Sequence, residues 1–393
     1  MKINFTQLSF LIIIVFSACK KDKEVINTTS TSPQYYTFSG RIGTNDNSTV
    51  ITNDNNIAIC GNLNNNICLL KISKSGTLIW RKDFSFGNNE FANSLVETSD
   101  GNLLIVGYTA RNFQLSNWDI FVVKVSQAGD TLWTKTYGWN GSDNGREIIK
   151  TNDNNYLIAS TTFIDTNSFS NISLIKINSD GDTIWTKIYP DQNKEIPKHI
   201  LQTQNGEYLI TGSNEDGNQQ SGLHVLKVDE NGNKLWSKTS SVNPQSWGQS
   251  TIELTNGDLI TCGQRLSNTG YSQIFLVKSD YIGNEIWNKE VFASPASESA
   301  NSIKINLDGT YSITGFSLDV VNGIGDIVLM KIDQNGNVVW NKKFGGDGID
   351  WGTNLVKDNN GDNIITGTTQ SFGSSPSGES IYMIKTDNNG NFK

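Results

Sequence analysis

The sequence predicts an all-β protein, a seven-bladed β-propeller with four antiparallel strands per blade, closed by an N-terminal strand that completes the last blade. Three observations carry that expectation. A turn, a short β-prone run and a tryptophan recur about every 52 residues: "SGTLIW" ends at Trp80, "AGDTLW" at Trp133, "DGDTIW" at Trp185, "NGNKLW" at Trp236, "IGNEIW" at Trp287 and "NGNVVW" at Trp340. Each repeat also divides into four β-prone runs. Finally, "YYTFSG" (35–40) stands ahead of the first repeat, and the last repeat stops at "NGNFK" before its own fourth run.

Residues 93–137 illustrate the unit. "NSLVET" leads through "SDG" to "NLLIVGYT"; a polar loop then leads to "DIFVVKVS", the turn "AGD" and "TLWTKTY". Apolar and polar residues alternate between Gly-containing turns, the pattern of antiparallel hairpins. We call the four runs strands A to D. The glycine of the C–D turn falls at Gly76, Gly129, Gly181, Gly232, Gly283, Gly336 and Gly390, which counts seven units. One four-stranded sheet cannot cover both of its faces, whereas seven stacked radially cover each other. Strand "YYTFSG" would pair beside the seventh unit and remove the open sheet edge.

The Asn-Gly pair is expected to supply the positive φ of a two-residue turn. The tryptophan that follows lies on strand D, the outermost, where its ring can cover the seam between blades. In position and type this repeat resembles that of quinoprotein-like propellers. It is more similar still to the "DG-x-Y-L-I-T-G … L-V-K-x-D-x-N-G-N-x-x-W" repeats of bacterial cell-envelope propellers, over about residues 34–393. That resemblance implies the fold and names no ligand. The adjacent cysteine pair of many quinone dehydrogenases is absent, so no cofactor is expected.

The first 19 residues read as a leader rather than as part of the fold. Lys2 gives a positive start, "LSFLIIIVF" (8–16) is too short to span a bilayer, and "FSAC" (16–19) places small residues before a cysteine. The run resembles a bacterial lipoprotein signal peptide, and by that resemblance Cys19 is the lipidated first residue of the mature chain. Residues 20–33, "KKDKEVINTTSTSP", contain nothing to bury and form a flexible tether. The expected location is therefore the cell envelope, with a lipid anchor in the outer membrane facing the periplasm or the cell surface. A net charge of −8 excludes a nucleic-acid partner, because phosphate binding needs clustered Lys and Arg. A ring closed within one chain is expected to be a monomer.

Cys60 and Cys262 share the repeat position that Thr211, Thr314 and Thr366 fill, so they read as small strand residues. Cys68 lies across a short loop from Cys60, and a Cys60–Cys68 disulfide is open in an oxidising compartment. No cysteine has metal-site spacing. Two lysine columns, Lys71 to Lys385 on strand C and Lys82 to Lys342 on strand D, recur too often to mark one site. They read as structural, with packed stems and locally paired heads.

Catalytic signatures are missing: the chain has two histidines, His199 and His224, and no nucleophile elbow, P-loop or zinc-binding helix motif. Attention therefore falls on the B–C and D–A loops, the longer ones, which emerge on one face. Four tryptophans outside the strand D column lie there: Trp118, Trp139, Trp247 and Trp351. An acidic position recurs just before strand A, at Glu90, Asp143, Glu195, Glu298 and Asp350, and small residues follow it two places later. The acids serve either as braces that bond backbone and fix the ring, or as ligand contacts beside the exposed rings, suited to a glycan. The leading expectation is a non-catalytic envelope binding or scaffold module with a glycan or envelope-protein partner. The alternative is a carbohydrate-active hydrolase or lyase, which would need two of these carboxylates to flank one bond.

Overall fold

The computed structural model describes residues 35–43, 46–110, 118–164, 169–240, 243–268, 270–291, 297–373 and 378–393. The leader, Cys19 and the 20–33 tether lie outside the described residues. Seven sheets are arranged as seven blades, each an antiparallel meander. Blade 3 is representative, with strand A at Asp143–Lys150, B at Tyr156–Phe163, C at Ser170–Ile177 and D at Thr183–Tyr189. In blade 1 strand A is divided into Arg41–Ile42 and Thr49–Ile51, with a short 3-10 turn between them. The A strands of neighbouring blades touch one another, which places them innermost, around the axis.

Closure is as the sequence predicts. Tyr35–Ser39 pairs antiparallel with Ser380–Thr386, Tyr36 opposite Met383 and Phe38 opposite Ile381, and so becomes strand D of blade 7. The Tyr36 hydroxyl donates to the Ser75 carbonyl at 2.8 Å, joining blade 7 to the first C–D turn.

The C–D turns correct one expectation. They are three-residue loops rather than two-residue ones. In blade 6 the Asp333 N–H donates to Asn337 O at 2.9 Å, and Gly336 N–H to Asp333 O at 3.0 Å. The Asp333 carboxylate also accepts from the Asn335 and Asn337 amides, at 2.9 and 2.8 Å. Such a loop needs a left-handed residue at its third position, and Gly336 has φ of +77° there. Beyond the turn the ladder slips once, between Ile332 opposite Val338 and Lys331 opposite Trp340, which leaves Val339 as a bulge on strand D.

The core lies in the seams. Cys60 and Leu69 of blade 1 pack with Leu95 and Ile105 of blade 2, while Cys68 and Ile57 pack with Ile364 and Met383 of blade 7. Side chains alternate across a strand, so each blade serves two seams. This corrects the proposed Cys60–Cys68 disulfide. Cys60 pairs across the ladder with Leu69 and Cys68 with Gly61, so the two thiols project from opposite sheet faces, both buried and free. A disulfide needs Cβ atoms on one side, within about 4.5 Å.

Both lysine columns have local partners. On strand C, Lys71 reaches Asp54 at 2.6 Å, Lys176 reaches Asp153 at 2.7 Å and Lys331 reaches Asp308 at 2.7 Å, each acid lying in its own blade's A–B turn. On strand D, Lys135 reaches Asp182 at 2.8 Å and Lys342 reaches Asn391 at 2.8 Å, both in the next blade's C–D turn. Strand C lysines also reach the next blade, Lys124 donating to the Ser179 carbonyl at 3.2 Å and Lys227 to the Tyr281 carbonyl at 3.3 Å, so both columns help to tie blades together.

Candidate functional site: the long-loop face

The recurring acids are braces. Glu90, Asp143, Glu298 and Asp350 are fully buried and Glu195 nearly so. Glu90 accepts from the amides of Phe86 and Asn88, at 3.3 and 2.9 Å. Asp143 accepts from the Trp139 amide at 2.6 Å and from the Thr162 hydroxyl. Asp350 accepts from the Gly346 amide at 3.0 Å and from the hydroxyls of Ser371, at 2.6 Å, and Thr369. Glu298 accepts from the Ser317 hydroxyl at 3.2 Å. Each carboxylate thus holds the D–A connection or the long-loop end of strand B against the start of strand A. As direct ligand contacts these five residues are corrected: their oxygens face protein donors within the fold.

Glu195 has a distinct partner. Its Oε1 lies 3.3 Å from His224 Nε2, and the His224 Nδ1 is 2.7 Å from the Thr239 hydroxyl. Burial pushes Glu195 up to about 7 and His224 down to about 4. Desolvation outweighs attraction here, so the two do not form a strong ion pair.

The small residues two places after the acids have a steric cause. A methyl on Gly145 would come 2.7 Å from the Gly107 carbonyl oxygen of the preceding blade. Strand A of blade 3 meets strand B of blade 2 there backbone to backbone.

The aromatic candidates fall into separate places. Trp118 packs edge-on against Tyr108 and Phe91, with ring centroids 5.0 and 5.9 Å away, and Phe91 stacks on Tyr108 at 5.0 Å. All three rings are half-buried, so this blade 2 cluster keeps a solvent-facing edge. Trp351 meets Phe316 at 6.3 Å, Trp247 begins strand A of blade 5, and Trp139 packs into the seam of blades 2 and 3. Phe91, Trp247 and Trp351 share one column, the residue just after the acidic position, and that alignment could have revealed Phe91 from sequence.

A further column escaped sequence reasoning. In blades 2 to 7 the register of strand A slips at one residue: Asn93, Arg146, Lys198, Gln249, Asn301 and Thr353. Such a bulge re-aims a side chain. The Asn93 amide donates to Asn144 Oδ1 at 3.1 Å and to the Gly145 carbonyl at 2.8 Å, and Asn301 donates to the Gly352 carbonyl at 2.7 Å. The bulge residues therefore bridge adjacent inner strands beside the axis. In blades 3 and 4 that place holds cations. Arg146 Nε donates to the Thr161 hydroxyl at 3.2 Å, and its charge acts on Tyr108. Burial draws Lys198 down to about 8, and the Arg146 charge draws it further in the same direction. A polar, cationic sector of the channel thus adjoins the Phe91–Tyr108–Trp118 cluster. Among the described residues no group of three or more His, Cys, Asp or Glu side chains is placed to hold a metal ion.

The family model described as outer membrane protein assembly factor BamB matches residues 119–389, more than half of the chain. The chain belongs to the BamB family. The match begins in strand C of blade 2 of this BamB-family propeller and runs through blade 7, and the ring-closing strand lies ahead of it. Among solved structures, a protein from Lactobacillus plantarum is similar at 11% identity, covering 91% of this chain and 95% of that one, with a TM-score of 0.57. The polysaccharide lyase Uly1 is similar at 8% identity, with 89% and 91% covered and a TM-score of 0.56. A puromycin hydrolase is similar at 12% identity and a TM-score of 0.56, and this chain spans about half of its length. These likenesses show the fold. No curated protein matches the chain.

Proposed function

We propose that this BamB-family propeller is a non-catalytic binding or scaffold module of the cell envelope, anchored by lipid on Cys19, that meets an envelope protein with its long-loop face. The observation that carries this reading is the division of labour on that face. The carboxylates are buried braces, while the cations Arg146 and Lys198 and the rings of Phe91, Tyr108 and Trp118 keep solvent-facing edges. Aromatic anchors beside Arg are the residue types in which interface energy concentrates. The family description, an outer-membrane assembly factor, supports a protein partner.

The test is co-purification of the full chain from crosslinked membranes. Arg146→Ala combined with Lys198→Ala, and separately Trp118→Ala, should deplete the main crosslinked partner at least tenfold, with melting temperature preserved. Recovery equal to wild type in both variants would overturn the reading. Cys19→Ala should move the protein to the soluble fraction, and continued membrane fractionation would defeat the anchor. The hydrolase or lyase alternative depended on accessible carboxylates, and the braces are not accessible. Turnover on a polysaccharide panel that is lost in Asp143→Asn and Asp350→Asn would restore it.

A further inference from the structure

Six strands D carry a bulky side chain four residues after the tryptophan position: Phe84, Tyr137, Tyr189, Val291, Phe344 and, in the closing strand, Phe38. Blade 4 has Ser240 there. The column plugs the seams. The Tyr137 hydroxyl donates to the Gly181 carbonyl at 2.6 Å, and Tyr189 to Gly232 at 2.7 Å, in each case the C–D turn glycine of the next blade. The following glycine is Gly283, and no tyrosine precedes it. A second tie is missing as well. Lys82, Lys135, Lys187, Lys289 and Lys342 each bond a side chain in the next C–D turn, whereas Lys238 makes no such bond among the described residues. Ser240 cannot substitute for a ring, since its hydroxyl accepts from the Leu223 amide at 3.0 Å and lies 2.7 Å from the Ser246 hydroxyl.

What remains is a cavity of about 290 Å³ between blades 4 and 5. Leu223, Val225, Trp236 and Val277 form its apolar walls, and Lys238 and the Gly283 turn complete the lining. That volume is close to the lower end for ligand pockets, roughly 300 Å³.

We propose that this slot receives a tyrosine side chain of a partner polypeptide, the ring against Trp236 and the aliphatic walls and the hydroxyl donating to the Gly283 carbonyl. The chain itself shows the fit twice, at the two preceding seams, and in both a polypeptide strand beside the turn delivers the ring. A phenol can use an acceptor that a purely apolar ring cannot, since the equivalent carbonyls of Gly181 and Gly232 each accept from a tyrosine hydroxyl. The inference does not depend on the long-loop face.

The experiment titrates N-acetyltyrosinamide, N-acetylphenylalaninamide and p-cresol into the full chain, read by ligand-observed NMR and thermal shift. Saturable binding of the tyrosine amide is expected, several-fold weaker for the phenylalanine amide. Ser240→Tyr and Ser240→Phe, which fill the slot from within, should weaken binding at least tenfold without lowering the melting temperature. Should neither fold, Val277→Phe narrows the slot from the opposite wall and carries the same expectation. No saturable binding by the unmodified chain, equal binding by a folded filled variant, or binding of p-cresol without the amide would each overturn the proposal. The Arg146→Ala, Lys198→Ala protein should bind the amide as well as the unmodified chain, so the two readings fail separately.

Discussion

Trp340 of blade 6 lies directly against Gly390 of blade 7, so close that a methyl on Gly390 would come within 2.8 Å of the indole. The same pairing joins Trp133 to Gly181, Trp185 to Gly232, Trp236 to Gly283 and Trp287 to Gly336. The tryptophan and the turn glycine, separated by almost a full repeat in sequence, are two halves of one latch between neighbouring blades. The glycine is needed twice over: its φ is +73°, and any side chain would displace the ring.

Gly390→Ala should therefore cost more than backbone strain alone. Left-handed backbone costs an L-residue about 1–2 kcal/mol, and the displaced indole adds to it. Gly257, also at positive φ, has only Tyr281 Cβ at 3.5 Å and serves as the control. Urea denaturation should give a larger loss for Gly390→Ala than for Gly257→Ala. Equal losses would show that the ring contact contributes nothing.

The closing strand should matter more than its five residues imply. Deleting residues 35–39 opens the ring and bares the edge of Ser380–Thr386. A collapse of thermal stability is expected, with aggregation on heating. Tyr36→Ala removes only the ring against Gly76 and the bond to Ser75, and should cost a smaller amount, about 1–3 kcal/mol. A deletion variant melting within a degree or two of the full chain would refute closure as a source of stability.

Acid should loosen the blades in a defined window. Burial tends to raise Asp54, Asp100 and Asp153, yet bonds from the strand C lysines and neighbouring threonines pull all three below the usual carboxylate range, Asp100 to about 2. At Asp308 the bond from Lys331 dominates and acts in the same direction. A folded pKa below the unfolded value of about 3.9 gives stability that is present above pH 4 and lost as pH falls toward 2. Melting temperature should drop steeply between pH 4 and pH 2, and Asp100→Asn should flatten that drop. A profile unchanged down to pH 2.5 would contradict these pairs.

Asp350 separates brace from ligand contact. Asp350→Ala leaves the Gly346 amide and the Ser371 hydroxyl without their acceptor, at a cost of about 2 kcal/mol. Asp350→Asn keeps one acceptor oxygen and should cost less. Partner recovery per folded molecule should stay at the level of the unmodified chain for both. Loss of partner with unchanged stability would return this residue to the binding surface.

Sequence by itself determined the blade count, the strand order within each blade, the closing strand and the tryptophan seam. These follow from local chemistry: alternation of apolar residues, glycine in turns, and a repeat regular enough to align. The Cys60–Cys68 pairing failed because a loop of few residues says nothing about which sheet face a side chain takes, and the register set the thiols on opposite faces. The acids were visible as a column, but their burial was decided by donors from other segments, such as Thr369 and Ser371 around Asp350. Arg146 and Lys198 became neighbours only because bulges on two inner strands re-aim them beside the axis, 52 residues apart in the chain. Nor could one repeat reveal that Ser240 leaves a cavity, since that space is bounded by two blades at once. Periodicity along the chain fixes each blade's own hydrogen bonds; what lies between blades depends on how separate sheets pack.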